Sequence, residues 1–265
     1  MKQFVKSALS RIAPNLYLTV SSQRARRLGQ RLEREWGYSD LARRVLEING
    51  PTVIGGPFEG MVFTPRTHCR HISPKLFGSY EAALNPIWRE VLAHPYKQIL
   101  DVGCADGYFA IGLARGIPGA IVHAFDTDSW ARQTVQEMAA VNGVDNVRVH
   151  GACTPQWLRE NLQPDAFILS DCEGYEDLLL VPEAAPALLS ADLLVEVHEH
   201  AVPGVTERLR SRFAATHQAV VVDDGPRAPE DYPASIFLSP EDRLRALHEV
   251  RNDGQQWLYL TAIAK

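Results

Sequence analysis

The sequence contains no apolar run near the length of about 18–20 residues that a membrane-spanning helix needs. It also has no secretory signal with an apolar core. Its four cysteines, Cys69, Cys104, Cys153 and Cys172, form neither a CxxC pair nor the spacing of a disulfide framework. These absences argue against a membrane partner and against a disulfide-stabilised fold. They predict free thiols in a reducing compartment, and therefore a cytoplasmic protein.

Acidic residues are absent from the start of the chain, where the first is Glu33. The same stretch carries the basic residues Lys2, Lys6, Arg11, Arg24, Arg26, Arg27 and Arg31. Such a start is compatible with a transit peptide or with a basic face for an anionic partner. Amphipathic helices are favoured instead by apolar residues at helical spacing, namely Leu28, Leu32, Trp36, Leu41, Val45 and Ile48. The net charge of -5 argues against a nucleic-acid partner.

The length of 265 residues and the apolar content of 46% suffice for one large α/β domain with an accessory segment. We expect residues 1–50 to form a helical cap or an oligomerisation segment, through which a homodimer can form. Residues 51–95 are rich in Gly and Pro and are expected to be an ordered wrap with a linker helix, including a short strand near Met61–Thr64. Residues 96–265 are expected to form the main domain.

Apolar runs alternate with helical segments beyond residue 96. They predict seven strands, at Gln98–Val102, Ile121–Phe125, Val147–Val149, Ala166–Leu169, Leu193–Val197, Ala219–Val222 and Trp257–Ala264. This alternation predicts an α/β fold with a mostly parallel sheet and helices on both faces. Ligands bind such sheets beyond the carboxyl ends of the strands, so the candidate site residues are expected there.

The first strand leads into a glycine turn and a helix, in the stretch ILDVGCADGYFAIGLA. Gly103 and Gly107 allow a tight turn and the close approach of a ligand. The Gly-x-Gly-x-x-Gly fingerprint of dinucleotide sites is absent, and Asp101 and Asp106 would repel a pyrophosphate, which disfavours an NAD-linked dehydrogenase. A carboxylate here suits a ligand with an ammonium or sulfonium group. Asp126 ends the second strand, roughly 20 residues further on, where an acid can hydrogen-bond a ribose.

The segments DVGCADG, HAFDTD and FILSDCEGYE together resemble motifs of the class I S-adenosylmethionine-dependent methyltransferases. The resemblance implies a Rossmann-like methyltransferase fold with S-adenosyl-L-methionine as cofactor. It implies that Asp126 holds the ribose and that Thr127 lies near the adenine. The cofactor-binding residues that it implies are Asp101, Gly103, Cys104, Ala105, Gly107, Asp126, Thr127, Ala152, Cys153 and Asp171. For the nearby Asp128, a helix N-cap is the favoured role.

The fourth and fifth strands each end in a pair of polar residues. Asp171 and Glu173 are two positions apart, as are Glu196 and His198, so each pair shares a face of extended backbone. A buried parallel strand is normally apolar, and an unpartnered buried carboxylate is costly, so Glu196 is expected to have a partner. DCEGYE followed by LVEVHEH resembles the FkbM-like branch of the methyltransferases.

Three hypotheses fit this cluster. His198 can be a general base oriented by Glu196 or Glu173, which suits methyl transfer to a hydroxyl or an amine. The carboxylates can instead hold a cationic part of the substrate. A divalent metal ion can also be bound by Asp171, Glu173, Glu196 and His198, because oxygen-rich sites with an imidazole suit such ions. Glu176 and Asp177 follow in the first turn of a helix, and we assign them to helix-start electrostatics.

The stretch before the first strand offers further candidates. Substrate-binding residues are predicted at Tyr80 and Glu81 and, at the start of the helix after the glycine turn, at Tyr108. A substrate carboxylate or phosphate can be bound by Arg66 and Lys75. A zinc site is the weaker hypothesis for the three residues His68, Cys69 and His71, because no second half-site accompanies them.

These observations predict a methyltransferase that uses S-adenosylmethionine and transfers the methyl group to an O or N atom of a small-molecule acceptor. One alternative keeps the cofactor but makes the acceptor a peptide or protein, docked by the basic N-terminus. Another is a non-catalytic subunit that binds S-adenosylmethionine. The costly polar groups at the strand ends favour the enzyme.

Overall fold

A computed structural model describes residues 37–67, 72–249 and 255–263, which alternate between strands and helices. The helices are α1 (Tyr38–Asn49), α2 (Ile72–Phe77), α3 (Asn85–Ala93), α4 (Tyr108–Gly116), α5 (Ser129–Val141), α6 (Pro155–Asn161), α7 (Glu176–Leu179), α8 (Val205–Phe213) and α9 (Pro240–Leu247). The strands are β1 (Gln98–Val102), β2 (Ile121–Phe125), β3 (Val147–His150), β4 (Phe167–Ser170), β5 (Asp192–Val197), β6 (His217–Asp223) and β7 (Gln256–Ala262). Within these ranges, no helix is long and apolar enough to cross a membrane.

The seven strands form one sheet in the order β3-β2-β1-β4-β5-β7-β6. Strands β1 to β5 pair in parallel, whereas β7 is antiparallel to both β5 and β6. This topology confirms the predicted mostly parallel sheet and the Rossmann-like fold. The strand order reverses between β1 and β4, and ligands of such sheets bind at this switch point.

Side chains of the central strands alternate between two hydrophobic cores, one on each face of the sheet. Ile99 and Phe167 belong to one core, and their chain neighbours Leu100 and Ile168 belong to the other. The first core is covered by α1 to α5 and α9, and the second by α6, α7 and α8. Because β1, β4 and β5 are buried on both faces, their sequences are nearly continuous apolar runs.

Residues 51–67 and 72–81 form a segment, here called the wrap, that packs over the first face. The strand expected at Met61–Thr64 is reduced to a single antiparallel bridge between Thr52 and Val62. Further along, Gly78 has a φ of +73°, and a Cβ atom there would lie 2.3 Å from the carbonyl oxygen of Gly55. This backbone crossing holds α2 against the start of the wrap.

Helix α1 contributes to the first core. Leu41 and Val45 are buried, but Ile48 is 62% exposed, so the predicted apolar stripe ends one turn earlier than expected. The other predicted members of the stripe, Leu28, Leu32 and Trp36, lie outside the described residues. Because the buried part of the stripe packs within the chain itself, a homodimer contact through residues 1–50 stays a prediction.

Candidate active site

A cavity of about 1280 Å³ opens at the carboxyl ends of the strands, at the switch point between β1 and β4. Its walls come from the segments that follow β1, β2, β3 and β4, and from residues 201–203 after β5. The described residues that line it include four acids and one base: Asp126, Asp171, Glu173, Asp177 and Arg208. Arg208 donates a 2.9 Å hydrogen bond to Asp177, so the remaining acids give the cavity a negative charge.

The glycine turn after β1 forms one wall of the cavity. The backbone N–H groups of Gly103 and Cys104 both donate to the carbonyl oxygen of Phe125, at 2.9 and 3.0 Å. Gly103 has a φ of +92°, and a Cβ atom there would lie 1.8 Å from the carbonyl oxygen of Asp171. Gly103 is therefore required by the close approach of the chain itself, as expected for a tight turn, and it also lines the cavity.

Asp101 is a buried carboxylate beneath this turn. It is 2% exposed, and its Oδ2 atom has no hydrogen-bond partner. Burial, together with the negative charge of Asp171, raises the pKa of Asp101 to about 8. A buried, electrostatically costly carboxylate with one unpartnered oxygen fits a site that is completed by a positively charged ligand.

Asp126 supports the turn from the end of β2. Its Oδ2 accepts a hydrogen bond from the backbone N–H of Ala105 at 3.0 Å, and its Oδ1 accepts one from Asp128 at 2.8 Å. The side chain of Asp128 in turn accepts from the N–H of Trp130 at 2.8 Å, which confirms its predicted role as the N-cap of α5. Asp126 also lines the cavity, so it remains available to a ligand.

His198 lies at the centre of the carboxylate cluster. Its Nδ1 is 2.8 Å from Oε1 of Glu176, and its Nε2 is 3.5 Å from Oδ1 of Asp171 and 3.8 Å from Oε2 of Glu173. His198 and Glu176 are buried, whereas Asp171 is partly exposed and lines the cavity. Asp171 therefore stands between His198 and the cavity.

Glu176 is the residue that orients His198, which corrects the expected orienting role of Glu196 or Glu173. The same Oε1 atom of Glu176 accepts backbone hydrogen bonds from Cys172 and Gly174, both at 3.2 Å. Helix-start electrostatics is thus an incomplete account of Glu176. The turn at Gly174, with a φ of +103°, precedes it, and the side chain of Glu176 is fully buried.

Two further expectations about acidic residues are confirmed. Glu196 is buried and has a partner, because Nε2 of Gln255 donates to its Oε1 at 2.8 Å. Asp177 has the structural role that was assigned to it, since it pairs with Arg208 at 2.9 Å and with Arg212 at 2.8 Å. These pairs attach the start of α7 to α8.

The charges around His198 determine its protonation. Burial alone would lower the pKa of His198, but the hydrogen bond and charge of Glu176 and the charges of Asp171 and Glu196 raise it to about 9. For Glu176, burial acts to raise the pKa, and the hydrogen bond and charge of His198 bring it below the usual value. Both shifts favour an imidazolium paired with a carboxylate.

The same cluster contains a donor set for a metal ion. Ligand atoms of Asp171, Glu196 and His198 lie within 4.8 Å of one another. Two carboxylates and an imidazole are chemically suited to a divalent ion such as Mg, Mn, Fe or Zn. Glu173, the fourth predicted ligand, is outside this group, and its side chain is 83% exposed.

Most of the predicted cofactor residues line the cavity, namely Gly103, Ala105, Asp126, Thr127, Ala152, Cys153 and Asp171. Asp101, Cys104 and Gly107 do not line it. The prediction that Cys104 binds the cofactor is corrected. Its side chain is buried in the first core, and its backbone N–H and carbonyl bond to Phe125 and Gly107. The described cysteines Cys104, Cys153 and Cys172 are free thiols.

The predicted substrate residues do not line the cavity. Glu81 and Tyr108 are buried, at 4% and 2% exposure, and Tyr80 packs edge-on against Tyr108. This placement corrects the expectation of substrate contacts at these positions. Arg66 is also committed elsewhere, since two of its nitrogens bond to Glu137 at 2.7–3.0 Å. His68, Cys69 and His71 lie outside the described residues.

Several cavity residues escaped the sequence analysis. Tyr175 and Leu178 line the cavity and are 39% and 64% exposed, and Val202 and Pro203 line it from the segment after β5. Tyr175 lies within the motif DCEGYE but was assigned no role there, and no local motif marks Leu178, Val202 or Pro203. Their location directly after a strand end, in a sheet whose ligands bind beyond the carboxyl ends, is the signal that can identify them.

No family model and no curated protein matches the chain. Similar solved structures include the O-methyltransferase TomG from Streptomyces achromogenes in complex with SAM, at 15% identity and a TM-score of 0.47, covering 85% of this chain and 89% of TomG. An rRNA methylase from Streptococcus thermophilus has 14% identity and a TM-score of 0.44, covering 71% and 96% of the two chains. Precorrin-6y C5,15-methyltransferase from Geobacter metallireducens has 12% identity and a TM-score of 0.45, covering 71% and 89%. Likenesses this distant assign neither cofactor nor acceptor to this chain.

Proposed function

We propose that the chain is a methyltransferase that uses S-adenosylmethionine. The observation that carries the proposal is the acidic cavity at the switch point, which is lined by Asp126 at the end of β2, together with the buried Asp101 at the end of β1, whose Oδ2 atom has no hydrogen-bond partner. A cationic ligand with a ribose fits these groups, whereas a pyrophosphate does not. The contact between Glu176 and His198 joins the motifs DCEGYE and LVEVHEH, which supports membership of the FkbM-like branch.

The cofactor would be held by residues of the first three strand ends. In this proposal Asp126 binds the ribose, and Thr127, Ala152 and Cys153 form the wall beside the adenine. Asp101 stabilises the positive charge of the ligand from beneath the glycine turn. When bound, the sulfonium group of S-adenosylmethionine supplies a reactive methyl group.

The acceptor in this proposal is a small molecule with a nucleophilic O or N atom. Tyr175 and Leu178 offer an apolar surface at the mouth, and Asp171 and Glu173 place carboxylates on the cavity wall. This combination favours an amine with an apolar body, because the ammonium form is attracted to the carboxylates. It disfavours nucleic acid, because the acidic wall repels phosphates.

Asp171 is the group that we propose to receive the proton of the acceptor. It reaches the cavity, whereas the predicted base His198 is buried behind it, and the surrounding carboxylates raise the pKa of His198, which favours its protonated form. Nε2 of His198, 3.5 Å from Oδ1 of Asp171, then orients the carboxylate. A bound divalent metal ion is the alternative, since Asp171, Glu196 and His198 form a suitable donor set. Elemental analysis of the purified protein and an activity assay with EDTA distinguish the general-base hypothesis from the metal hypothesis.

Calorimetry with S-adenosylmethionine and with NAD tests the cofactor assignment. We expect binding of S-adenosylmethionine and none of NAD, and a failure to bind the former overturns the proposed function. Asp126→Ala is expected to weaken binding, with Asp145→Ala as the control because Asp145 is exposed and outside the cavity. An unchanged affinity in Asp126→Ala contradicts the ribose assignment.

Phenethylamine, 2-phenylethanol and phenylacetate share an apolar body and differ in their polar group, so they test the acceptor class. Release of S-adenosylhomocysteine and the mass of the product are measured for each. Turnover of the amine alone supports the amine preference, and turnover of the alcohol alone contradicts it. Binding of S-adenosylmethionine without turnover of these compounds directs the assay to peptide acceptors or to a partner subunit.

A further inference from the structure

Lys75 lies on α2, outside the sheet, yet its side chain reaches the glycine turn after β1. Its Nζ atom is 2.5 Å from Oδ2 of Asp106, and both side chains are about nine-tenths buried, at 9% and 10% exposure. A buried ammonium group is tolerated only when it is paired in this way. The expected role of Lys75, binding a substrate anion, is therefore corrected by an ion pair within the chain.

Asp106 connects Lys75 to the wall of the cavity. Its second oxygen, Oδ1, accepts a hydrogen bond from the backbone N–H of Tyr108 at 3.3 Å, where α4 begins. The residues on either side have left-handed backbone, with φ of +45° at Ala105 and +86° at Gly107. Ala105 lines the cavity, and left-handed backbone is strained for alanine, so the turn needs support from its surroundings.

Two aromatic rings fix the direction from which Lys75 approaches. Its Nζ lies 4.8 Å from the ring centroid of Tyr80 and 5.5 Å from that of Tyr108. Both distances are within the range of cation–π attraction. Tyr80 and Tyr108 thus hold the ammonium group against Asp106, which gives these two residues a role in place of the substrate contacts expected for them.

The wrap is attached to the domain by contacts that do not involve the ammonium group. The N–H of Val62 donates to Oδ1 of Asn142 at 2.8 Å, and Oγ of Ser79 donates to the carbonyl of Leu247 at 3.0 Å. Within the wrap, the backbone crossing of Gly55 and Gly78 holds α2 in place. Removal of the Lys75 charge is therefore expected to leave α2 in place and to act on the glycine turn.

We propose that Lys75 is a positioning residue for the cofactor turn. By holding Asp106, it keeps Ala105 in the left-handed conformation that forms the cavity wall. The inference rests on the proposed function, because it names the turn as a cofactor-binding element. It assigns part of the site to the wrap, which belongs to neither the sheet nor its crossover helices.

The test compares Lys75→Met with the native chain and with Arg44→Met. The control breaks a different ion pair, between Arg44 and Asp242 at 3.1 Å, which joins α1 to α9 away from the turn. We expect Lys75→Met to raise the Kd for S-adenosylmethionine by about 10- to 100-fold, as loss of a charged hydrogen bond allows. Peptides that cover residues 103–110 should exchange their amide hydrogens faster in this variant without any ligand. Arg44→Met should change neither quantity, and Lys75→Arg should restore part of the affinity.

A merely structural role lowers the active fraction but leaves the Kd of the folded molecules unchanged. A native Kd in Lys75→Met therefore overturns the proposal. If Lys75→Met does not fold, the double variant Lys75→Met/Asp106→Asn removes both charges. Native affinity in that double variant also overturns the proposal. If the native chain itself fails to bind S-adenosylmethionine, the proposed function fails, and the exchange rates still decide whether Lys75 holds the turn.

Discussion

Oε1 of Glu176 lies 2.8 Å from Nδ1 of His198, and so connects the segment after β4 to the end of β5. Both side chains are buried, and one carboxylate oxygen serves the imidazole as well as two backbone N–H groups. The pair therefore determines the shape of the segment after β4 and the charge of the imidazole at the same time.

Glu176→Gln is expected to lower the free energy of unfolding by about 1.5–3 kcal/mol near neutral pH, because a charged hydrogen bond is lost. The pKa of His198 is raised from 6.5 to about 9 in the fold. Its stabilising effect is therefore complete below pH 6.5 and disappears as the pH rises through about 9. In urea unfolding from about pH 6 to pH 10, the free energies of unfolding of the native protein and of Glu176→Gln should converge at the alkaline end. Exposed Glu183→Gln is the control, and a pH-independent difference contradicts the assignment.

Asp101→Asn is expected to weaken binding of S-adenosylmethionine and to stabilise the ligand-free fold at alkaline pH. The raised pKa of Asp101, about 8, means that the folded state holds a proton which the unfolded state releases near pH 3.8. Stability of the native protein should therefore fall as the pH rises towards 8, and this loss should be absent in the variant.

Binding of the cation should also ionise Asp101 in the native protein. Calorimetry in buffers of different ionisation enthalpy near neutral pH should then detect a released proton. An Asp101→Asn variant that binds with native affinity contradicts the role of Asp101.

Asp171→Asn is expected to reduce turnover by about 10²–10⁴-fold, the usual contribution of a general base. The measurement uses whichever of phenethylamine and 2-phenylethanol is methylated by the native protein. Cofactor affinity should change much less than turnover, because the amide keeps the volume of the side chain. Native turnover in Asp171→Asn would show that another group accepts the proton.

Gly103→Ala is expected to destabilise the fold by about 2–6 kcal/mol, from left-handed strain and from overpacking against the carbonyl of Asp171. Gly143→Ala is the matched control. Gly143 also has a positive φ, +63°, but nothing lies within 4 Å of the added Cβ, so only about 1–2 kcal/mol is expected. Denaturant unfolding measures both, and equal losses would contradict the steric argument.

Much of the fold can be predicted because buried parallel strands are recognisable as short apolar runs. All seven expected strands exist, with ends that shift by a few residues. The position of β7 between β5 and β6 could not be predicted, because strand pairing depends on contacts distant in sequence. The proximity of Glu196 and His198 was predicted correctly from their spacing, since residues two apart share a strand face.

The partner of His198 was harder to predict. Glu176 occupies a helix start, where an acid has a sufficient local explanation, and its contact depends on the left-handed turn at Glu173 and Gly174. For Cys104, a cofactor contact was predicted that the structure does not show. Its place in the glycine turn suggested a ligand contact, but its side chain packs in the core.

The insertion of β7 also has a consequence for the order in which the protein can assemble during synthesis. When the ribosome has completed β6, that strand has no neighbour, and β5 has only β4. Both vacancies are filled by residues 256–262, and Gln255, just before them, is the partner of Glu196. The pocket that holds His198 is therefore completed only after residues 255–262 have been synthesised, when β1 to β5 are already available for folding.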